Sequence, residues 1–537
     1  MKLDIAPGIR SRTLTVATLL TLSMVTGGWL IVRGTRDSGA TPAQAERLFD
    51  QVLLRVERYY VDSVPSSTLY RKAVDGMLYE LEDPYTTLLP ADKLGRLTEA
   101  TSGNYAGVGI HADVRDGWPV VIAPMAGSPA ERAGIQPGDR IVEIAGRSTK
   151  GLTLDEVSAA FRGKPETSLS LRIERPGVTS PIPYTLVRKP LHQSAVRQVA
   201  MLPNAVGYID LKAFSDSTTR EVTRSINALL AKGMKSLLID MRSNPGGLLD
   251  QGLSVSDLFL GNGQRIASLK GRGAVSREYV DSTAQRWPGL PLVILVDDRS
   301  ASAAEIVAGA LQDHDRALII GEPTYGKGSA QTIIPLGAQG GLKITTARWY
   351  TPVGRSIAKR AERDDGDEPD SPKPPRFRTD GGRLVYGGGG ISPDVIASDS
   401  ALRRESRILQ TALGKKVGQF RDVITEYALD LKAKHQVTSP QFVVTPAMLE
   451  EVWKRLVARR VDIPRMTYDD SSRLVSSLLT YDIARYVFGP EAEFRRRIAN
   501  DRVIGVALEM ATGAKSQSAL LDRAATRQKA LGQPANE

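Results

Sequence analysis

Two short stretches carry residue types that do chemistry. SASAAEIVAGALQD, residues 300–313, directly follows the apolar run PLVILVDDR. A strand that feeds small residues and then a helix presents a serine at a helix N-terminus. There the first N–H groups and the helix dipole favour negative charge, which suits a developing oxyanion. Serine is also the common helix cap, so Ser300 and Ser302 each have a purely structural reading. The second stretch, GEPTYGKGS at 321–329, has the outline of a phosphate loop: Gly321, four residues, Gly326, Lys327. The nucleotide motif requires Ser or Thr directly after the lysine, and then a helix. Gly328 stands there instead, and SAQTIIPL reads as a strand, so a phosphate cradle is rejected.

Two glycine turns belong with these stretches. LLIDMRSNPGG, 237–247, is a strand ending in a turn whose amides are free to point at a ligand. YAGVGI, 105–110, sets two glycines around an apolar residue before a strand, a backbone nest suited to a carboxylate. Histidine is a poor candidate base. The four are His111, His192, His314 and His435. His314 lies on the same expected helix as Ser302 but twelve residues on, about 18 Å away. Glu305 and Asp240 are adequately explained as helix N-terminal charge and strand-end structure.

The elements that must hold these residues follow from periodicity. Residues 41–100 read as helical: AERLFDQVLLRVERYYV has an amphipathic face, and Asp83-Pro84 ends a second helical stretch. Residues 101–190 change to short β runs, WPVVIAPM, DRIVEIAG and SLSLRIER, broken by the helical patch LDEVSAAFRG. From 191 to 400 strands alternate with helices, which argues for a layered α/β core. Its segment 359–383 is charged and proline-rich, hence a loop or disordered insertion. Residues 401–537 are again helical in texture. The roles open to them are packing on the core, dimerisation and adaptor binding.

Composition narrows the classes. The 537 residues are 41% hydrophobic and 24% charged, an ordinary globular balance that implies several structural units. The net charge of +11 is spread and mixed with acids, without the basic stripe and interleaved aromatics of a nucleic-acid binder. The absence of cysteine excludes disulfides, thiolate metal sites and cysteine nucleophiles. Within residues 1–40, Arg10 and Arg12 precede the uncharged run Thr13–Val32. That length suffices for a bilayer span, with a cleaved signal peptide as the rival. The resulting expectation is a single-pass inner-membrane protein whose catalytic domain lies in the periplasm or another extracytoplasmic space.

YAGVGI together with SPAERAGIQPGDRIVEIAG (128–146) resembles a PDZ domain of the bacterial protease type. That resemblance implies capture of free, preferably apolar, protein C-termini, with Gly107, Val108, Gly109 and Ile110 lining the site. Adding LLIDMRSNPGG, SASAAE, GKGSAQ, LKITTARWYTPVGRSI and GGISPD, the chain from about Phe49 to Asp394 resembles the carboxyl-terminal processing peptidases. These are Ser/Lys endopeptidases with a PDZ domain inserted before a crotonase-like α/β core. The resemblance implies Ser302 as nucleophile, Lys327 as general base and Gln331 as the residue that orients the lysine. It implies oxyanion donors from Ala303 and a glycine of NPGG, here Gly246. Arg162 is the candidate relay between peptide binding and the catalytic site.

The implied chemistry is self-consistent. Burial lowers a lysine's pKa, so the neutral amine can take the serine proton and return it to the leaving amine. The cycle runs through an acyl-enzyme with no metal and no cofactor. Expected partners are protein or peptide substrates with apolar C-termini, with an adaptor and a homo-oligomer both open. The reading from another class is a catalytically inactive PDZ scaffold that only binds peptides.

Overall fold

The computed structural model describes residues 41–530, apart from 116, 176, 273–275 and 360–373. Contacts divide it into two units, residues 1–88 and 89–537. The first holds α1 (Pro42–Tyr59) and α2 (Ser66–Tyr79), which bury Leu53 and Leu78.

The second unit begins with α3 (Ala91–Ser102), closed by Gly103 in the left-handed conformation. β1 (Asn104–Gly107) leads into the module expected to bind peptides, formed by β2 (Ile110–Arg115), β3 (Trp118–Pro124), β4 (Arg140–Ile144), α4 (Leu154–Phe161), β5 (Ser168–Glu174) and β6 (Ile182–Val187). The five strands form an antiparallel sheet in the order β2-β3-β4-β5-β6, with β2 at its edge. β5, SLSLRIE, alternates strictly between exposed and buried, so Leu169, Leu171 and Ile173 face the core with Val121, Ile141 and Phe161. α4 starts at a capping box in which Thr153 and Glu156 satisfy each other's amides. β7 (Lys189–His192) pairs antiparallel with β1, so the chain enters and leaves this module side by side.

The α/β core follows. β8 (Val196–Leu202), β9 (Val206–Leu211), α5 (Thr218–Ala231), β10 (Ser236–Asp240), α6 (Leu249–Asp257), β11 (Arg265–Gly271), β12 (Arg277–Val280), β13 (Leu292–Val296), α7 (Ala303–Asp313), β14 (Leu318–Gly321), β15 (Ser329–Pro335), β16 (Gly341–Tyr350) and β17 (Val395–Ile396) make two sheets. The larger runs β8-β9-β10-β13-β14-β17, and all its pairs but the first are parallel. SLLID and LVILV are buried at every position, as parallel strands covered on both faces must be. One face, with Ile209, Leu237, Ile294 and Ile319, packs on α5, α6 and α7. α7 is itself buried along its whole length. The smaller sheet, β15-β16-β11-β12, carries the lysine loop's outgoing strand.

The second face of the large sheet is covered from far along the chain. Beyond the core come α8 (Ser400–Leu413), α9 (Val417–Ala433), α10 (Pro446–Ala458), α11 (Ser472–Phe488) and α12 (Arg502–Ala511). α8 to α11 share a core of their own, built on Phe420, Ile424, Leu456, Leu479 and Ile483. α12 lays Val503, Ile504, Ala507 and Met510 against Tyr208, Leu238, Val293 and Leu295. Of the three roles open to the C-terminal region, packing on the core is the one observed.

Arg355 of TPVGRSI shows how the core ties its helix down. It is fully buried, ion-paired with Asp313 at the end of α7, and donates to Gln312 Oε1 at 3.0 Å and the Tyr386 carbonyl at 3.1 Å. Arg355→Ala leaves Asp313 buried without its charge partner. The expected loss is about 3–5 kcal/mol, read from the urea midpoint.

One expectation is overturned. Among the described residues no helix is long and apolar enough to cross a membrane, which removes the support for a single-pass inner-membrane protein. Helix α1, the first of the described residues, carries Glu46, Arg47, Asp50, Arg55, Glu57 and Arg58, and it was not the segment read as an anchor. The apolar run Thr13–Val32, on which the anchor or signal reading rested, lies outside the described residues, as does most of the 359–383 insertion.

Candidate active site

Three adjacent parallel strands, β10, β13 and β14, end on the same side of the sheet, and their outgoing loops carry the candidate residues. The carboxyl ends of parallel strands are where α/β sheets bind ligands. β10 leads to Asn244, Gly246 and Gly247, β13 to Ser300 and Ser302, and β14 to Thr324 and Lys327.

The two serines separate cleanly. Ser300 is fully buried, its hydroxyl donating to the Met241 carbonyl at 2.8 Å and accepting from the Asp297 amide at 2.9 Å. It fastens the loop. Ser302 is half-buried and sits at the N-cap of α7 with φ 55° and ψ −117°, a conformation that costs a non-glycine residue about 1–3 kcal/mol. Such a strained strand-to-helix turn is what exposes a serine nucleophile at the top of a sheet. Ala303, next in line, opens the helix and is fully buried.

Gly246 lies against this turn. A β-carbon there would fall 2.7 Å from Ser302 Cβ and 3.0 Å from the Ala303 nitrogen, so only glycine fits. The structure thus brings Gly246, Ser302 and Ala303 together. Asn244 organises the approach: its carbonyl accepts from the Ala301 amide at 2.9 Å, and its Oδ1 accepts from the Gly246 amide at 2.8 Å. In this arrangement the Gly246 N–H is therefore spent on Asn244.

Sequence reasoning passed over the residue that joins the two halves of the site. Glu305, in the first turn of α7, is fully buried. Its carboxylate accepts from the Ser302 amide at 2.7 Å and the Lys327 amide at 3.0 Å. It also accepts from the Gly326 amide at 2.7 Å and the Thr324 hydroxyl at 2.5 Å. Burial pushes its pKa up to about 7, and the four donors only partly counter that. The available signal was Ser302-x-x-Glu305, the spacing of a capping box.

The lysine loop is fixed from both sides. Gly321, at φ 137°, has no room for a side chain, since a β-carbon would sit 1.9 Å from the Val296 carbonyl oxygen. Gly326 and Gly328 press on 357–359, where a β-carbon would meet Lys359 Cγ at 2.8 Å and Ala358 Cβ at 2.9 Å. The Lys327 carbonyl accepts from Trp349 Nε1 at 3.0 Å, and Lys327 itself is half-buried. Gln331, on β15, gives its amide nitrogen to Ser329 Oγ at 3.0 Å and Thr345 Oγ1 at 3.2 Å.

The remaining expected residues have plain places. Asp240 is buried. Its burial alone would raise the carboxyl pKa, but the Arg242 guanidinium at 2.7 Å outweighs it and holds the group below its usual range. His314 caps the far end of α7, with its ring nitrogens 2.6 Å from Asp380 Oδ2 and 2.7 Å from the Arg265 carbonyl. It stays away from Ser302, as its position in the sequence requires. In the peptide module, Val108 is fully buried in the core while Gly107 and Gly109 frame it. The Gly109 carbonyl accepts from the Met125 amide at 2.9 Å, and Ile110 opens the edge strand β2. Gly107 bridges to Arg162, whose guanidinium pairs with Glu99 of α3 at 2.8 Å and stacks 5.0 Å from the Tyr105 ring centroid. Among the described residues no cluster of histidines, cysteines and carboxylates fit to hold a metal is present.

Comparison with known proteins bears on this geometry. Residues 205–371 match the family model for peptidase family S41, and residues 120–175 match a PDZ domain. The carboxy-terminal processing protease CtpA of Bacillus subtilis is 32% identical over 407 residues, covering 75% of this chain and 84% of the relative. A carboxy-terminal-processing protease of Bartonella bacilliformis is 39% identical over 318 residues, 58% of this chain and 71% of the relative. A solved structure of a photosystem II D1 C-terminal processing protease is 28% identical, covering 68% of this chain and 95% of that one, with a TM-score of 0.36.

Proposed function

This chain belongs to the carboxy-terminal processing proteases of peptidase family S41 and is a serine peptidase with a PDZ domain, and we propose that Ser302 and Lys327 form its catalytic dyad. The observation that carries the proposal is the Glu305 carboxylate, which holds the backbone of Ser302 and the backbone of Lys327 at once.

In the reaction, neutral Lys327 Nζ takes the Ser302 proton as Oγ attacks the scissile carbonyl. The tetrahedral oxyanion forms at the N-terminus of α7, where the Ala303 N–H and the helix dipole stabilise it. Gly246 is adjacent, and its N–H becomes the second donor when it leaves Asn244 Oδ1. The lysine ammonium then protonates the leaving amine, giving an acyl-enzyme, and a water activated by the same lysine releases the product. Gln331 orients Lys327 in the engaged state. A substrate C-terminus adds beside β2, its carboxylate held by the Gly107–Ile110 turn and its side chains facing α4.

The experiment is degradation of unfolded casein, with and without a peptide ending in apolar residues. The protease reading expects cleavage that a chelator leaves unchanged and that Ser302→Ala abolishes. No cleavage under any of these conditions would favour the scaffold.

Arg162 ties the end of the PDZ helix to the chain that enters the module. It ends the PDZ helix, bridges Gly107 and pairs with Glu99 on the helix that precedes the module. Arg162→Ala is expected to abolish stimulation by the C-terminal peptide while leaving its Kd within about threefold, measured by fluorescence polarisation beside the casein assay. A parallel loss of peptide binding would reduce Arg162 to a part of the groove.

A further inference from the structure

β15 leaves the lysine loop as an edge strand. It pairs with β16 from Ser329↔Arg348 to Pro335↔Gly341, and among the described residues it has no partner on its other side. Natural edge strands are usually guarded by charge, especially lysine, because an open row of N–H and C=O groups templates pairing with another chain. This one is unguarded. From Ser329 to Leu342 the chain carries no charged residue, and Ile333, Ile334 and Leu336 are 41%, 44% and 43% exposed. Pro335, which lacks an N–H, closes the pairing at the far end.

The location makes the edge informative. β15 starts two residues after Lys327 and carries Gln331, and its root is pinned where the Trp349 amide donates to the Gly328 carbonyl at 2.9 Å. An extended chain lying along this edge is led to the lysine loop, and Glu305 couples that loop to Ser302. Six residues of strand, Ser329 to Ile334, offer roughly 20 Å of backbone.

We propose that the open edge of β15 is a docking edge for the substrate itself, an extended and predominantly apolar segment of unfolded polypeptide that pairs with β15 next to the scissile bond. This rests on the protease reading above and deepens it: the PDZ module holds the C-terminus, and β15 selects the stretch presented for cleavage. Backbone pairing supplies sequence-tolerant affinity, while Ile333, Ile334 and Leu336 disfavour charged segments.

The test compares wild type with Ile333→Lys/Ile334→Lys and with Ile333→Thr/Ile334→Thr, which keeps the β-branched shape. Three quantities are read: kcat/KM on unfolded casein, the rate at which a small fluorophosphonate labels the protein, and oligomeric state by light scattering. The expected result is a casein kcat/KM at least tenfold lower in the lysine variant and intermediate in the threonine variant. Labelling rate and oligomeric state stay as in wild type. Unchanged casein cleavage would overturn the inference, and so would an equal fall in labelling, which signals damage to the site or fold. A change in oligomeric state would overturn it too, by making the edge an interface between copies. A wild type that neither degrades casein nor is labelled would instead sink the protease reading.

Discussion

Replacing Ser302 with alanine is expected to lower kcat on casein by about 10⁴-fold or more, since a dyad acts as a unit and loses nearly everything with one member. Lys327→Ala should fall comparably. Lys327→Arg should not rescue it, because a guanidinium stays protonated and cannot accept the serine proton. Ser300→Ala supplies the contrast. Its hydroxyl is wholly engaged in the loop, donating to the Met241 carbonyl and accepting from the Asp297 amide. Its loss should cost about 1–3 kcal/mol of stability while much of the activity survives. Binding of a C-terminal peptide should be unchanged in all of these variants, measured by fluorescence polarisation.

The second large effect is expected at Glu305. A glutamine at this site has one acceptor oxygen for two of the four donors and turns an amide N–H₂ toward the other two. Glu305→Gln should therefore lower kcat by about 10²–10³-fold with little change in KM, by loosening the hold on Ser302 and Lys327, and should cost about 2–3 kcal/mol. A purely structural role would lower stability without altering a pH profile. The pH profile is thus the discriminating readout. All four neighbours donate to Glu305, so the competent form is the carboxylate, and kcat should fall as pH drops through about 7. Stability runs the other way. With its folded pKa raised from 4.5 to about 7, the group contributes most below pH 4.5 and loses that contribution as pH rises through 7. Between these values activity and the Glu305 share of stability should move in opposite directions. Glu305→Gln should lose the limb set by Glu305 and keep only the one set by protonation of Lys327.

The layered core was legible because SLLID and LVILV are apolar at consecutive positions, which a parallel strand needs and an amphipathic one does not. The same fact implied that something must cover both faces of the sheet. An amphipathic helix does not name its partner, however, so the role of α12, more than two hundred residues beyond most of those strands, could not be read. The peptide module was legible from its two glycine phrases and from alternation as strict as that of SLSLRIE. The family resemblance placed Ser302 and Lys327 in one site. Residue types alone left Ser300 and Ser302 equal, because the difference lies in a backbone dihedral and in burial. Glu305 was hidden for a related reason. Three of its four donors come from 324–327, some twenty residues on, and a contact across that distance has no local pattern.

Mass spectrometry after reaction with a fluorophosphonate tests the central claim most directly, since it reports the nucleophile rather than the loss of an activity. The Ser302/Lys327 account predicts a single phosphonyl adduct, carried on the peptide that contains Ser302. It should be absent from Ser302→Ala, slowed at least a hundredfold in Lys327→Ala, and unaffected by chelators. An adduct on another serine such as Ser300, or casein cleavage that persists in Ser302→Ala, would contradict it.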